Sequence, residues 1–318
     1  MKYFFLTLFL CVINVMAQNP QTTITFLAGD FTVSTLSEGG GQGNLNQLKG
    51  ATPEQLKKYL PDGTFPLETQ VFLVRTPDRN IMIDAGHGRN LFKNMQTLGL
   101  DESKINVILL THMHGDHIGG LLREGVPAFP NAELYLAKKE YDYWMNLGER
   151  GASQQKVLEA YKAKLHTFEP GTVDNQGNEL IAGVTPIAAY GHTPGHTAYY
   201  IRSADAKWLI WGDLTHAMPI QMPCPEVVLS FDVNPDEAIK ARKALLEFIV
   251  KNGITAGGMH VPFPAVGTIK KEAEGYSFTP KGLWKLVQAW IVMHEEDLMA
   301  DWELATNEKS IFRIEPLR

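Results

Sequence analysis

Four apolar residues, Val107-Ile108-Leu109-Leu110, run straight into Thr111-His112-Met113-His114-Gly115-Asp116-His117. That junction constrains the fold more than any other stretch of the chain. A short continuous apolar run reads as a buried strand. The loop after it is dense in imidazole and carboxylate groups, donors that suit Zn2+ and neighbouring first-row ions. His112 and His114, two apart at a strand end, point the same way and can share one ion with a third ligand. Gly115 permits a tight turn that aims Asp116 and His117 at a second ion. A polar surface loop with chance histidines would not follow such a strand so closely.

The rest of the chain reads as alternating strands and helices. Thr22 to Leu27 and Phe31 to Leu36 are β-rich, and Ser37 to Gly50, with Gly39-Gly40-Gly41, reads as a loop. Val71 to Thr76 and Asn80 to Asp84 flank the turn signal Pro77-Asp78 and form a hairpin. Leu91 to Leu100 has helical spacing, Asn131 to Ala137 alternates like a strand, and a helix follows through Trp144. Strands at Ala198 to Arg202 and Lys207 to Trp211 precede an amphipathic helix, Pro235 to Lys251, with Ala238, Ala241, Leu245 and Phe248 on one face. This alternation argues an α/β fold. Metal-type residues recur just after strands, where α/β proteins place ligands.

The 318 residues show no dividing linker and no internal repeat. Residues 1–17 read as an export signal: Lys2 is the positive end, Phe4 to Val15 is apolar except for Thr7 and Asn14, and Val15-Met16-Ala17 fits small-residue cleavage. A periplasmic or secreted location follows. The apolar run is too short to span a bilayer, which needs about 20 residues, so no membrane anchor is expected in the mature form. Loss of the segment removes Cys11 and leaves Cys224 alone, so no internal disulfide can form. The net charge of −6 and the absence of a Lys/Arg cluster argue against nucleic acid as a partner. A small-molecule substrate is the expected partner, and a homodimer is left open.

Three further residues complete a ligand set. His196 ends the turn Gly191-His192-Thr193-Pro194-Gly195-His196, Asp213 follows the strand Trp208-Leu209-Ile210-Trp211, and His260 follows Ile254 to Met259. Alone, each is an ordinary residue. In the order His-x-His-x-Asp-His, His, Asp, His, they resemble the metallo-β-lactamase superfamily. The resemblance implies an αβ/βα four-layer sandwich, two mixed sheets flanked by helices, over residues 18–280. It implies two divalent ions, zinc by preference. His112, His114 and His196 match the first site, Asp116, His117 and His260 the second, and Asp213 the bridging carboxylate. Asp84, in Ile83-Asp84-Ala85-Gly86, matches a carboxylate that supports the histidine loop.

Phe129-Pro130-Asn131-Ala132, Lys139-Glu140, Trp144, the turn 191–197, Gly212-Asp213-Leu214 and Phe263-Pro264 through Gly275-Tyr276 are similar to the methyl parathion hydrolase branch. Val71-Phe72-Leu73 departs from that branch, as do the lengths of the loops after Asp84 and after Trp144, both expected to line the pocket. The resemblance implies hydrolysis of a neutral ester, lactone or phosphotriester by a metal-bridging hydroxide, with Asp116 shuttling a proton to the leaving group. β-Lactam hydrolysis and iron-dependent oxygen chemistry are the alternatives. Trp144 and Phe92 are expected to line the pocket, His216 to donate a hydrogen bond to substrate, and His192 to brace its own turn. Residues 281–318 are expected to form a helix-strand extension. Trp302 belongs to its helical spacing, with a break at His294 to Asp297 and a strand at Phe312 to Leu317.

Overall fold

Successive side chains of a strand point to opposite faces. In Thr64–Arg75 this sends Phe72 and Val74 into one apolar cluster and Val71 and Leu73 into another, all of them buried. Ile81 and Ile83 part from Met82 in the same way, and Val107 and Leu109 from Ile108. A strand buried on both faces needs a layer on each side. The computed structural model describes residues 22–282, 291 and 294–306, and supplies those layers.

The first sheet has seven strands in chain order: Thr23–Ala28 (β1), Phe31–Asn44 (β2), Thr64–Arg75 (β3), Asn80–Ile83 (β4), Val107–Leu109 (β5), Glu133–Ala137 (β6) and Leu165–Phe168 (β7). β1 to β4 pair antiparallel, and β4 to β7 pair parallel. The second has six: Val184–Ala188 (β8), Thr197–Ser203 (β9), Ala206–Ile210 (β10), Thr255–Gly257 (β11), Val266–Lys271 (β12) and Tyr276–Pro280 (β13). It too is mixed, with β10 parallel to β11. Phe72, Ile83 and Leu109 of the first sheet share one core with Tyr199, Trp208 and Ile210 of the second. Each such side chain contributes about 1.5–3 kcal/mol by leaving water.

Helices cover the outer faces. Leu91–Thr97 (α1), Lys138–Met145 (α2) and Ala152–Ala160 (α3) place Leu91, Met95, Trp144, Val157 and Leu158 against the first sheet. Pro235–Asn252 (α4) packs Leu245, Leu246 and Ile249 into the core that holds the second sheet. The Asn234 side chain caps its first turn, and Gly253, at φ 61, ends it in the left-handed region. The result is the expected helix–sheet–sheet–helix sandwich.

One expected loop is a strand. β2 continues through Gly39-Gly40-Gly41 to Asn44, paired with β3 after a register shift between Ser37 and Gly39. Glycine is required here: Gly39 has φ +89, and a Cβ on Gly40 would lie 2.6 Å from the Glu68 Cα. Next, Leu45–Gln47 makes a short helical turn and Leu48–Lys49 pairs with Val228–Leu229, tying two distant segments together.

Thr279–Arg318 is a separate compact unit. Its described helix, Glu295–Thr306, starts inside the stretch expected to break it. Glu295, Glu296 and Asp297 fill the first turn, where the helix dipole favours negative charge. Trp302 on this helix is 66% exposed. The segment 1–17, expected to be an export signal, and the strand expected at 312–317 lie outside the described residues. No helix among the described residues is long and apolar enough to cross a membrane.

Candidate metal centre

The candidate ligands gather at one edge of the sandwich, where loops from both sheets meet. β5 delivers His112 and His114. The helical turn Gly115–Ile118 carries Asp116 and His117, the β8–β9 loop His192, the end of β10 Asp213 and the end of β11 His260. Two groups have ligand atoms all within 4.8 Å of one another: His112, His114, His192 and Asp213, and Asp116, His117 and His260. Asp213 also groups with His216 and His260. His114 Nδ1 is 3.0 Å from His112 Nε2 and 2.9 Å from His192 Nε2. Asp213 Oδ1 lies 3.1 Å from His117 Nε2, and Oδ2 lies 3.1 Å from His192 Nε2 and 3.2 Å from His260 Nε2.

This donor set fits metal. His117 Nε2 and Asp213 Oδ1 are buried and, although 3.1 Å apart, neither makes a well-aligned hydrogen bond, which protein interiors seldom tolerate without an ion or water. The opposite ring nitrogens are held by the protein. His117 Nδ1 meets Asp84 Oδ2 at 2.7 Å, His192 Nδ1 meets Asp232 Oδ1 at 2.8 Å, and His260 Nδ1 meets the Glu68 carbonyl at 2.6 Å. Such partners fix the tautomer and aim Nε2 inward. Asp84, at φ 59, also accepts the Thr111 backbone N–H and hydroxyl, each at 2.7 Å, and so pins the start of the histidine loop.

The electrostatics follow the same lines. Burial, aided by the His192 charge, pulls His114 down to about 3. Burial opposes charge on His260 too, but Asp213 and Asp116 outweigh it and lift the ring to about 10. His117 is likewise raised against its burial by Asp213, Asp116 and Asp84. Asp213 is buried, yet His117, His260 and His112 hold its carboxyl well below the usual range.

The structure corrects the expected set at one histidine. His196 does not offer a nitrogen to the site: Nδ1 is 2.8 Å from the Ala189 carbonyl and Nε2 accepts the Asp213 backbone N–H at 2.8 Å. His192, expected only to brace its turn, stands in its place beside His112 and His114. Both histidines frame the same Thr-Pro-Gly turn, so spacing alone could not choose between them. His196 directly precedes β9 and faces the backbone of Gly212.

The cavity over this cluster has a volume of about 430 Å3. Leu67 and Phe231 are its apolar walls, and Gln47, Asp116, Asp213, His216 and His260 also line it. Neither expected pocket aromatic lines it. Trp144 is buried and donates its indole N–H to Glu140 at 2.6 Å. Phe92 stacks on Phe129 with centroids 6.0 Å apart and lies under Arg123. His216 does line the cavity, but its Nε2 is 3.0 Å from Asp213 Oδ2 and its Nδ1 is buried without a partner. Burial lowers the ring to about 4. Phe231, Asp232 and Gln47 escaped the sequence reading because only the Leu48–Lys49 to Val228–Leu229 pairing brings them to the site.

Residues 64–253, more than half of the chain, match the family model of the metallo-beta-lactamase superfamily. Among solved structures, the chain is similar to AidC, a dizinc quorum-quenching lactonase, with 26% identity, a TM-score of 0.74 and coverage of 81% of this chain and 97% of that one. It is equally similar to AbOPH, a hydrolase in the beta lactamase superfamily (26% identity, TM-score 0.74, 83% and 98% covered). The N-acyl homoserine lactonase AttM of Rhizobium radiobacter is 29% identical over 36% of this chain and 43% of its own length. The chain spans less than half the length of the first curated relatives it matches, 45%, 38% and 46%. The family model, the two-sheet sandwich and the histidine–aspartate cluster at its edge agree: the chain belongs to the metallo-beta-lactamase superfamily.

Proposed function

We propose that the protein is a metal-dependent hydrolase that holds two divalent ions, zinc by preference, and opens a neutral lactone or ester. His112, His114 and His192 would hold one ion, Asp116, His117 and His260 the other, with Asp213 between them. Two such ions supply Lewis acidity and lower the pKa of water toward neutrality.

The observation that carries the substrate class is the cavity lining. Leu67 and Phe231 give it apolar walls, and no Lys or Arg lines it among the described residues. A carboxylate-bearing β-lactam or a glutathione thioester would bring anionic groups with no Lys or Arg to pair with there, whereas a neutral acyl substituent can lie against the apolar walls. The similarity to AidC and AttM, both described as lactonases, supports a lactone. A phosphotriester, the substrate implied by the resemblance to the methyl parathion hydrolase branch, is also neutral and is a second substrate to test.

The residues divide the work. Both Asp213 and Asp116 line the cavity, but Asp213 is buried between the two histidine groups, while Asp116 keeps about a quarter of its side chain (26%) in solvent. Asp116 Oδ2, 3.3 Å from His260 Nε2, is therefore the oxygen placed to take a proton from the attacking water and pass it to the departing alkoxide. Phe231, against both His192 and His216, shields one side of the site from water.

The test is metal analysis of protein purified without supplementation, with turnover of acyl-homoserine lactones, aryl esters, phosphotriesters and β-lactams. About two ions per chain and lactone or ester turnover that chelation abolishes are expected. One tightly held iron with oxygen consumption, or β-lactams as the preferred substrates, would overturn the reading. Export is proposed on residues 1–17, with Gln18 as the first residue of secreted protein by mass spectrometry. An intact Met1 there would refute it.

A further inference from the structure

Glu140 has a buried carboxylate that the proposed chemistry leaves unused. It lies on α2 at 1% exposure, and no Lys or Arg reaches it among the described residues. Its oxygens receive four hydrogen bonds. Oε1 accepts the Met113 backbone N–H at 3.0 Å and the Trp144 indole N–H at 2.6 Å. Oε2 accepts the Thr193 hydroxyl at 2.6 Å and the Gly195 backbone N–H at 3.0 Å. All four partners are donors, so the acceptor-only ionised form is the one that fits.

The identity of those donors is the informative part. Met113 stands between His112 and His114 on the loop from the first sheet. Thr193 follows His192 on the loop from the second. Glu140 therefore bonds both loops whose histidine nitrogens converge within 2.9–3.0 Å. The approach is close: a Cβ on Gly195 would fall 2.2 Å from the Glu140 backbone nitrogen. Trp144, one turn along α2, packs edge-on against His114 with centroids 5.8 Å apart. A buried charge costs several kcal/mol in desolvation unless hydrogen bonds offset it, and apolar packing would do for an ordinary helix–loop contact.

We infer that Glu140 is a positioning residue that sets the spacing of His112, His114 and His192, and thereby the affinity of one of the two ions. The inference rests on the two-ion reading above. Glu140→Gln tests it, because the amide nitrogen would face two donors where an oxygen now accepts them. Metal-free protein is titrated with Co2+ alone and followed by its visible spectrum. His114→Ala and His260→Ala serve as references for loss of either histidine group.

In Glu140→Gln one equivalent should bind at wild-type affinity and the other at least about tenfold more weakly, with a one-ion spectrum that matches His114→Ala. Thr193→Val, which removes one donor only, should weaken the same equivalent by a smaller factor, and it decides the question if Glu140→Gln does not fold. Two equivalents at wild-type affinity in both variants, or equal weakening of both equivalents, would overturn the inference. If wild type takes up a single equivalent, the two-ion reading fails separately. The affinity of that equivalent in Glu140→Gln then decides the clamp: about tenfold weaker upholds it and unchanged refutes it.

Discussion

His192 Nδ1 lies 2.8 Å from Asp232 Oδ1, and the other oxygen of Asp232 accepts the Leu229 backbone N–H at 3.0 Å. The carboxylate thus joins a candidate ligand to the segment that carries the cavity wall Phe231. Asp232→Ala should free the His192 ring and weaken metal binding by about 10–100-fold. Competition with a chromophoric chelator measures this, and wild-type affinity would show that Asp232 does not orient the ring.

His192→Ala and His196→Ala should differ in kind. The first removes a nitrogen that faces the cluster and should lower metal stoichiometry. The second leaves the Ala189 carbonyl and the Asp213 N–H without their partner, a loss of about 1–3 kcal/mol of stability, and should keep its ions once folded. Metal analysis with urea unfolding of both variants separates them. Loss of an ion from a folded His196→Ala alone would restore the assignment expected from the sequence.

Trp144, expected from the sequence to wall the pocket, should behave as a packing residue, and Phe231 should behave as the wall. Truncation of a packed tryptophan costs about 3–5 kcal/mol, and Trp144→Ala also strips a donor from Glu140, so its melting temperature should fall sharply. Phe231→Ala should leave the melt nearly unchanged and raise KM for substrates with long acyl groups. A half-exposed ring offers on the order of 1 kcal/mol of apolar contact, about a fivefold change. Equal KM for short- and long-chain substrates would remove Phe231 from the binding wall.

Metal loading should release protons. In the metal-free protein Asp213 and Asp116 hold His260 charged up to about 10, while those carboxylates are themselves held ionised, Asp213 well below the usual range. A ligand nitrogen must be deprotonated, so zinc competes with the His260 proton. Affinity should therefore rise as pH increases from 6 to 9, the proton becoming easier to displace. Calorimetry in buffers of different ionisation enthalpy reads the proton count, and binding without proton release would mean that His260 is neutral at the start.

Most of the fold and half of the site were legible in the chain because they depend on neighbours in sequence. Alternation in Val71–Val74 and the apolar run before Thr111 identify strands from residues that lie side by side, and the density of donors from His112 to His117 marks metal chemistry before any folding is known. Asp84 could be singled out for the same reason, as it ends the strand beside β5. The choice between His192 and His196 was not local. It depends on which ring meets the Ala189 carbonyl and the Asp213 N–H, groups brought together only when β9 pairs with both β8 and β10. The cavity walls have the same origin: a glycine-rich stretch expected to be loose continues as β2, and the pairing of Leu48–Lys49 with Val228–Leu229 carries Gln47, Phe231 and Asp232 to the site. Sequence spacing determined the kinds of atoms available to a metal. Contacts between residues far apart in the chain, made by burying both faces of two sheets, decided which of those atoms converge and which side chains line the cavity above them.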